Sequence, residues 1–122
     1  MPVFTVKPRF YPIRLIARIR SSSELTLEVK NNSSELVWLE CDLTVPETFS
    51  LAPDRELRHG RMRAGIMAAG ESAECKCKVY GSPFTEPGLH KLKITAYGYG
   101  KDGSISAREE KEAEIRCERL KA

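Results

Sequence analysis

The stretch from Arg63 to Tyr99 narrows the range of folds more than any other part of the chain. Two segments in it, Ala73 to Val79 and His90 to Ala96, alternate apolar with charged residues. Each follows its own turn punctuation, Gly70-Glu71-Ser72 before the first and Pro87-Gly88 before the second. Successive side chains of a strand point to opposite faces, so alternation bounded by turn residues marks half-buried antiparallel strands. Such strands are stable when their apolar faces cover one another. The expected fold is therefore all-β, a two-sheet antiparallel sandwich.

Other segments extend the pattern. Val3 to Lys7 and Ile13 to Arg20 read as strands separated by Pro8 and Pro12. Proline cannot donate to a ladder, so this opening belongs at a sheet edge or crosses between sheets. Ser21, Ser22 and Ser23 read as a turn, followed by a strand with Leu25, Leu27 and Val29 inward. After the polar loop Asn31 to Ser34, a strand from Leu36 to Val45 points Val37, Leu39, Cys41, Leu43 and Val45 one way. Trp38, Glu40, Asp42 and Thr44 point the other, and Trp38 is expected to cover an edge or sit under the N-terminal segment, with a contact residue as the alternative. Pro46 to Gly70 is the least regular stretch, with short strands at Phe49 to Leu51 and at Ile66-Met67. The glycines between Tyr97 and Gly103 predict a hairpin. Ala107 to Ala122 is rich in helix formers, yet Ala113, Ile115 and Cys117 alternate with Glu114, Arg116 and Glu118. A last strand is expected there, pairing with Leu89 to Ala96.

At 122 residues the chain reads as one domain, residues 1–122, with about seven or eight strands, the number an immunoglobulin-like sandwich uses. No apolar run approaches the roughly 20 residues of a membrane helix. The N-terminus lacks a signal-peptide pattern, so a cytoplasmic location is expected. Glutamine is absent while Glu, Lys and Arg are plentiful, a thermophile-like composition. The net charge of +3 is unevenly spread. Lys7, Arg9, Arg14, Arg18 and Arg20 occupy a segment without acids, while residues 21–50 are acidic. Neutralisation between neighbouring strands is the plain reading of that asymmetry; orienting a partner is the other.

The order of motifs resembles the CARDB-type immunoglobulin-like domains of archaeal and bacterial surface proteins. The residues that carry the likeness are VPETFSL, IMAAGESAECKCKV, PGLHKLKITA, the Lys-Asp-Gly hairpin and EAEIRC. They span residues 24 to 118, with residues 1–20 outside. The resemblance implies an immunoglobulin-like sandwich serving as a spacer, adhesion or binding module, and a setting at the cell surface. It carries over no functional residues.

Cys41, Cys75, Cys77 and Cys117 all fall on apolar faces. Cys75 and Cys77 stand two apart in a strand rather than across a tight turn, which suits thiols packed as small hydrophobes better than a zinc site. A disulfide and a metal site are the alternatives. No cofactor is expected. His59 and His90 lack the context of a catalytic constellation, so the chain reads as a non-enzyme. Arg55, Arg58, His59, Arg61 and Arg63 form a basic loop, the best candidate for binding an anion or nucleic acid. Lys7, Arg9, Phe10, Tyr11 and Arg14 add a basic, aromatic mix. Asp54 and Glu56 dilute the loop, and an overall pI of 8.7 disfavours nucleic acid. The leading expectation is a protein partner, or self-association through edge strands, with the N-terminal segment burying Phe4, Phe10, Tyr11 and Ile13.

Overall fold

The computed structural model describes residues 3–119. Its strands are β1 (Phe4–Tyr11), β2 (Arg14–Ile16), β3 (Ser22–Asn31), β4 (Val37–Thr44), β5 (His59–Met67), β6 (Ser72–Tyr80), β7 (Gly88–Tyr99) and β8 (Ile105–Glu118). They build a three-stranded sheet in the order β1-β3-β6 and a five-stranded sheet in the order β2-β8-β7-β4-β5. Alternation places the core between them. Leu25, Leu27 and Val29 of β3 are fully buried, as are Leu39 and Cys41 of β4 and Leu92, Ile94 and Ala96 of β7. Burial of each large aliphatic side chain contributes about 1.5–3 kcal/mol.

The proline-broken opening does both things expected of it. β1, with Pro8 inside it, forms one edge of the smaller sheet, and β2 forms one edge of the larger. Of the four residues expected to be buried by this segment, Phe4 is buried and Phe10 half-buried, but Tyr11 and Ile13 are 82% and 73% exposed at the crossing between sheets. The strand expected over Ile13 to Arg20 is only three residues long and runs parallel to β8, so the sandwich is not wholly antiparallel. Its end has a local cause. The Ser21 hydroxyl accepts from the Ile16 N–H (3.1 Å) and donates to the Ile16 carbonyl (3.2 Å), while Arg18 takes a left-handed φ of 64°. A side chain that satisfies backbone groups in this way competes with the ladder. The expected turn at Ser21 to Ser23 shortens accordingly, since Ser22 and Ser23 belong to β3 and Ser23 is buried.

The largest difference lies in the stretch read as irregular. His59 to Met67 is a nine-residue strand paired along β4. Near Phe49 and Leu51 only an isolated bridge forms, between Ser50 and Tyr80. β7 runs on to Tyr99, so Gly98 is a strand residue and the hairpin turn begins at Gly100. The C-terminal segment is a strand and not a helix, from Ile105 to Glu118; residues 120–122 of that expectation, like 1–2 of the opening, lie outside the described residues.

Candidate interaction surface

The outer face of the five-stranded sheet is a lattice of matched charges. On β4, Glu40 and Asp42 point outward with their carboxylates largely covered. Antiparallel pairing sets Arg61 of β5 opposite Asp42 and Arg63 opposite Glu40. Arg61 donates through Nε to Asp42 Oδ1 (2.7 Å), through Nη2 to Asp42 Oδ2 (3.3 Å) and through Nη1 to Glu40 Oε1 (3.2 Å). The hydrogen bond to Asp42 is the main cause that pushes the Arg61 guanidinium further above its ordinary range, with Coulombic attraction second. Arg63 lies 3.9 Å from Glu40. Across β4 from these, Tyr97 of β7 has the guanidinium carbons of Arg61 and Arg108 at 5.9 and 6.0 Å from its ring centre, within cation–π range.

The stretch read as one basic loop is therefore divided. Arg55 and Arg58 lie in the β4–β5 connection, beside Asp54 (3.4 Å) and Glu56 (3.5 Å). His59, Arg61 and Arg63 lie on β5, with the His59 ring 2.9 Å from the Thr44 hydroxyl and 3.9 Å from Asp42. Each of the five faces a carboxylate, and each pair is local to a strand ladder or a turn. Trp38 does not sit under the N-terminal segment, whose β1 belongs to the other sheet. It lies on the same outer face, and its indole N–H donates to Glu40 Oε2 (2.6 Å). With Ile66, directly opposite on β5, and Ile105 beyond Tyr99 it gives one end of the sheet an exposed apolar row.

The thiols sit where the sequence placed them, on the inner faces. Cys41, Cys75 and Cys117 are buried, Cys77 is half-buried, and all four are free. Burial is the first cause that raises each of them. Cys41 is pushed up to about 12 and Cys77 to about 11, with the neighbouring Cys75 adding to both. Thiols held protonated at neutral pH are poor nucleophiles and poor metal ligands. Among the described residues no group of three or more His, Cys, Asp or Glu side chains could hold a metal ion.

Of the sheet edges, β6 offers the longest regular one. Its register against β3 runs without interruption from Ser72 to Tyr80, whereas β1 contains Pro8, β2 is three residues long, and β5 is broken by a bulge next to Gly65. Backbone bonding fixes which β6 groups face outward. Tyr80 exchanges both its hydrogen bonds with Ser50 (2.8 and 2.9 Å), away from β3, while Glu71 accepts from the Asn31 N–H. Antiparallel strands alternate bonded and non-bonded pairs. Hence Ala73, Cys75, Cys77 and Val79 bond to β3. Ser72, Glu74, Lys76 and Lys78 direct their N–H and C=O groups outward.

No family model matches the chain, and no curated protein matches it. Solved structures do. A crystal structure of native alpha-2-macroglobulin from Escherichia coli, spanning domain MG7 to the C-terminus, superposes with a TM-score of 0.67 at 18% identity, covering 95% of this chain and 16% of that one. The trypsin-activated form of the same protein gives 0.65 at 19% identity, over 96% of this chain and 7% of the macroglobulin. A FixG-related protein from Vibrio parahaemolyticus gives 0.59 at 10% identity, over 96% of this chain and 98% of its own. The chain thus spans a small fraction of the macroglobulin chains, and what it shares with all three is the fold. This chain is an immunoglobulin-like β-sandwich.

Sequence reasoning identified the arginines but could not see their partners, and it had no means of finding the β6 edge. Edge position depends on sheet order, which is set by the whole topology. One usable signal was present. Glu40 and Asp42 stand two apart on a strand, as do Arg61 and Arg63, a spacing that lets opposite charges pair across strands.

Proposed function

We propose that the chain is a non-catalytic immunoglobulin-like module, acting as one domain, that works through protein contact by receiving a strand at β6. The observation that carries this reading is the uninterrupted outward row of backbone donors and acceptors from Ser72 to Lys78, bounded at one end by the Ser50–Tyr80 bridge. An open edge of this length is a template for an added strand. The CARDB-type resemblance, which implies spacer or binding modules, supports the same reading. The cytoplasmic location expected from the sequence belongs to this proposal too, and the four free thiols suit a reducing compartment, whereas the resemblance points to the cell surface.

Anion or nucleic-acid binding through Arg55, Arg58, His59, Arg61 and Arg63 has weaker support, because each already faces a carboxylate.

The test uses Lys76→Pro. The Lys76 N–H faces outward, so proline removes an edge donor while sparing every bond to β3. Wild type and variant, matched in melting temperature, are used as bait against extract of the native host. Partners recovered with wild type and lost with Lys76→Pro are the expected result. Identical recovery with both baits would refute edge recognition.

A further inference from the structure

We infer that the strand received at β6 is β6 of a second copy of this chain, paired antiparallel about a two-fold axis at Cys75. This rests on the edge reading above and names its occupant. Outward-bonding residues must face one another in the added ladder, so even-numbered positions meet even-numbered positions. About Cys75, Glu74 of one copy faces Lys76 of the second copy, Lys76 faces Glu74, and Ser72 faces Lys78. Both central pairs join opposite charges. Shifting the axis to Glu74 sets Glu74 against Glu74, and shifting it to Lys76 keeps opposite charges at Glu74 and Lys78 but adds Lys76 against Lys76, so only the register about Cys75 has opposite charges without a like-charge pair. Opposite charges directly across a ladder stabilise it and like charges destabilise it, so the charge order selects one register.

The remaining edges lack this property. β5 presents His59, Arg61 and Arg63, and β1 presents Lys7 and Arg9, so self-pairing of either sets basic residues against basic residues. On β6, Glu74 is shared with Arg9 of the same sheet, which also pairs with Glu28, whereas Lys76 and Lys78 have no ion-pair partner among the described residues. Their charge is available to a second copy.

The interior behind this edge supports the same occupant. β5 and β6 meet along the open side of the sandwich. Met62, Ala64, Ala73 and Cys77, which lie there, pack on the core while remaining only partly buried. A second copy extending the three-stranded sheet to six strands brings its own β5–β6 side against this seam. Because the pairing is isologous, it closes at two copies and leaves no β6 edge for a third.

The test is a charge swap read by sedimentation equilibrium from micromolar to millimolar chain. Wild type is expected to be a monomer–dimer system with no larger species. Glu74→Lys, which also removes the intrachain pair with Arg9, and Lys76→Glu, which does not, each replace two attractive pairs between copies by two repulsive ones, and each is expected to weaken dimerisation by about tenfold. The double variant Glu74→Lys/Lys76→Glu restores both pairs and should dimerise like wild type. An equimolar mixture of the two single variants should form a heterodimer. Far-ultraviolet circular dichroism and melting of each variant establish that the fold is kept.

Wild type that stays monomeric throughout, forms larger assemblies, or dimerises indifferently to these charges overturns the inference. The two readings fail separately. A monomeric wild type that still captures a host protein, lost with Lys76→Pro, removes the self-pairing and leaves the edge function standing.

Discussion

Asn31 donates through Nδ2 to the carbonyl oxygens of Glu35 (2.9 Å), Met67 (3.1 Å) and Ala68 (3.3 Å), two hydrogens shared among three acceptors. Its Oδ1 accepts from the Ser33 N–H (3.0 Å) and the Ser33 hydroxyl (2.7 Å). The side chain is fully buried, and it ties the β3–β4 loop to the β5–β6 connection, two segments that belong to no common ladder. Its chemistry is specific, because the site needs a donor toward the carbonyls and an acceptor toward Ser33. Asn31→Ala removes the side-chain donor from the buried Met67 carbonyl, while the Ala68 and Glu35 carbonyls keep the Glu71 N–H and the Ser33 hydroxyl, and it should lower stability by about 1–3 kcal/mol. Asn31→Asp keeps the shape and the acceptor but turns a carboxylate toward three carbonyls, so at neutral pH it should be at least as destabilising. Urea unfolding of both variants decides this, and an Asp variant as stable as wild type would contradict the assignment.

At the scale of elements, β1 and β7 are locked together by a glycine that looks like turn punctuation in the sequence. Gly98 stands in mid-strand, and a Cβ built on it would lie 2.5 Å from Cζ of the buried Phe4 ring. The absent side chain makes room for the ring that joins the two sheets at this end. Gly98→Ala must displace Phe4 within a packed interior and should cost about 1–3 kcal/mol, the usual range for overpacking. Gly98→Ala combined with Phe4→Leu should recover part of the loss, which a double-mutant cycle measures; strict additivity would mean the contact is not the cause. The same pair shows what could be read in advance and what could not. Strands whose inward residues are large aliphatics (Leu25 to Val29, Val37 to Val45, Leu92 to Ala96) were legible because alternation and hydrophobicity coincide there. β5 was legible only at its end, Ile66-Met67, since its other inward positions are Gly60, Met62 and Ala64, and what fixes the rest as a strand is Glu40 and Asp42 on another element. Gly98 was misread for a related reason: a glycine required by a neighbour's ring carries the same letter as one required by a turn. As for the candidate site, its arginines were visible as residues, whereas their neutralisation and the open β6 edge are properties of strand pairing.

For the molecule as a whole, thiols in the core make stability depend on alkaline pH. In the folded chain Cys41 is pushed up to about 12 and Cys77 to about 11, from an ordinary value of 9.0, in both cases chiefly by burial. An unfolded chain therefore loses these protons first as the pH rises. Fewer protons bound in the unfolded state means that stability falls with increasing pH. The contribution is fully present below about pH 9, and it declines as the pH climbs toward the folded values. Cys41 alone should remove about 2 kcal/mol between roughly pH 8 and pH 10.5. Lysines and tyrosines titrate over the same interval, so a total slope cannot isolate the thiol. The comparison that does is wild type against Cys41→Ala, both kept reduced, with urea midpoints followed across this range. Truncation to alanine lowers stability at every pH by removing the buried sulfur, but it also removes one titrating group. The two curves should converge as the pH rises. Parallel curves would mean that Cys41 ionises as readily in the folded chain as in the unfolded one, and the sulfur could not then lie in the dry space between the sheets.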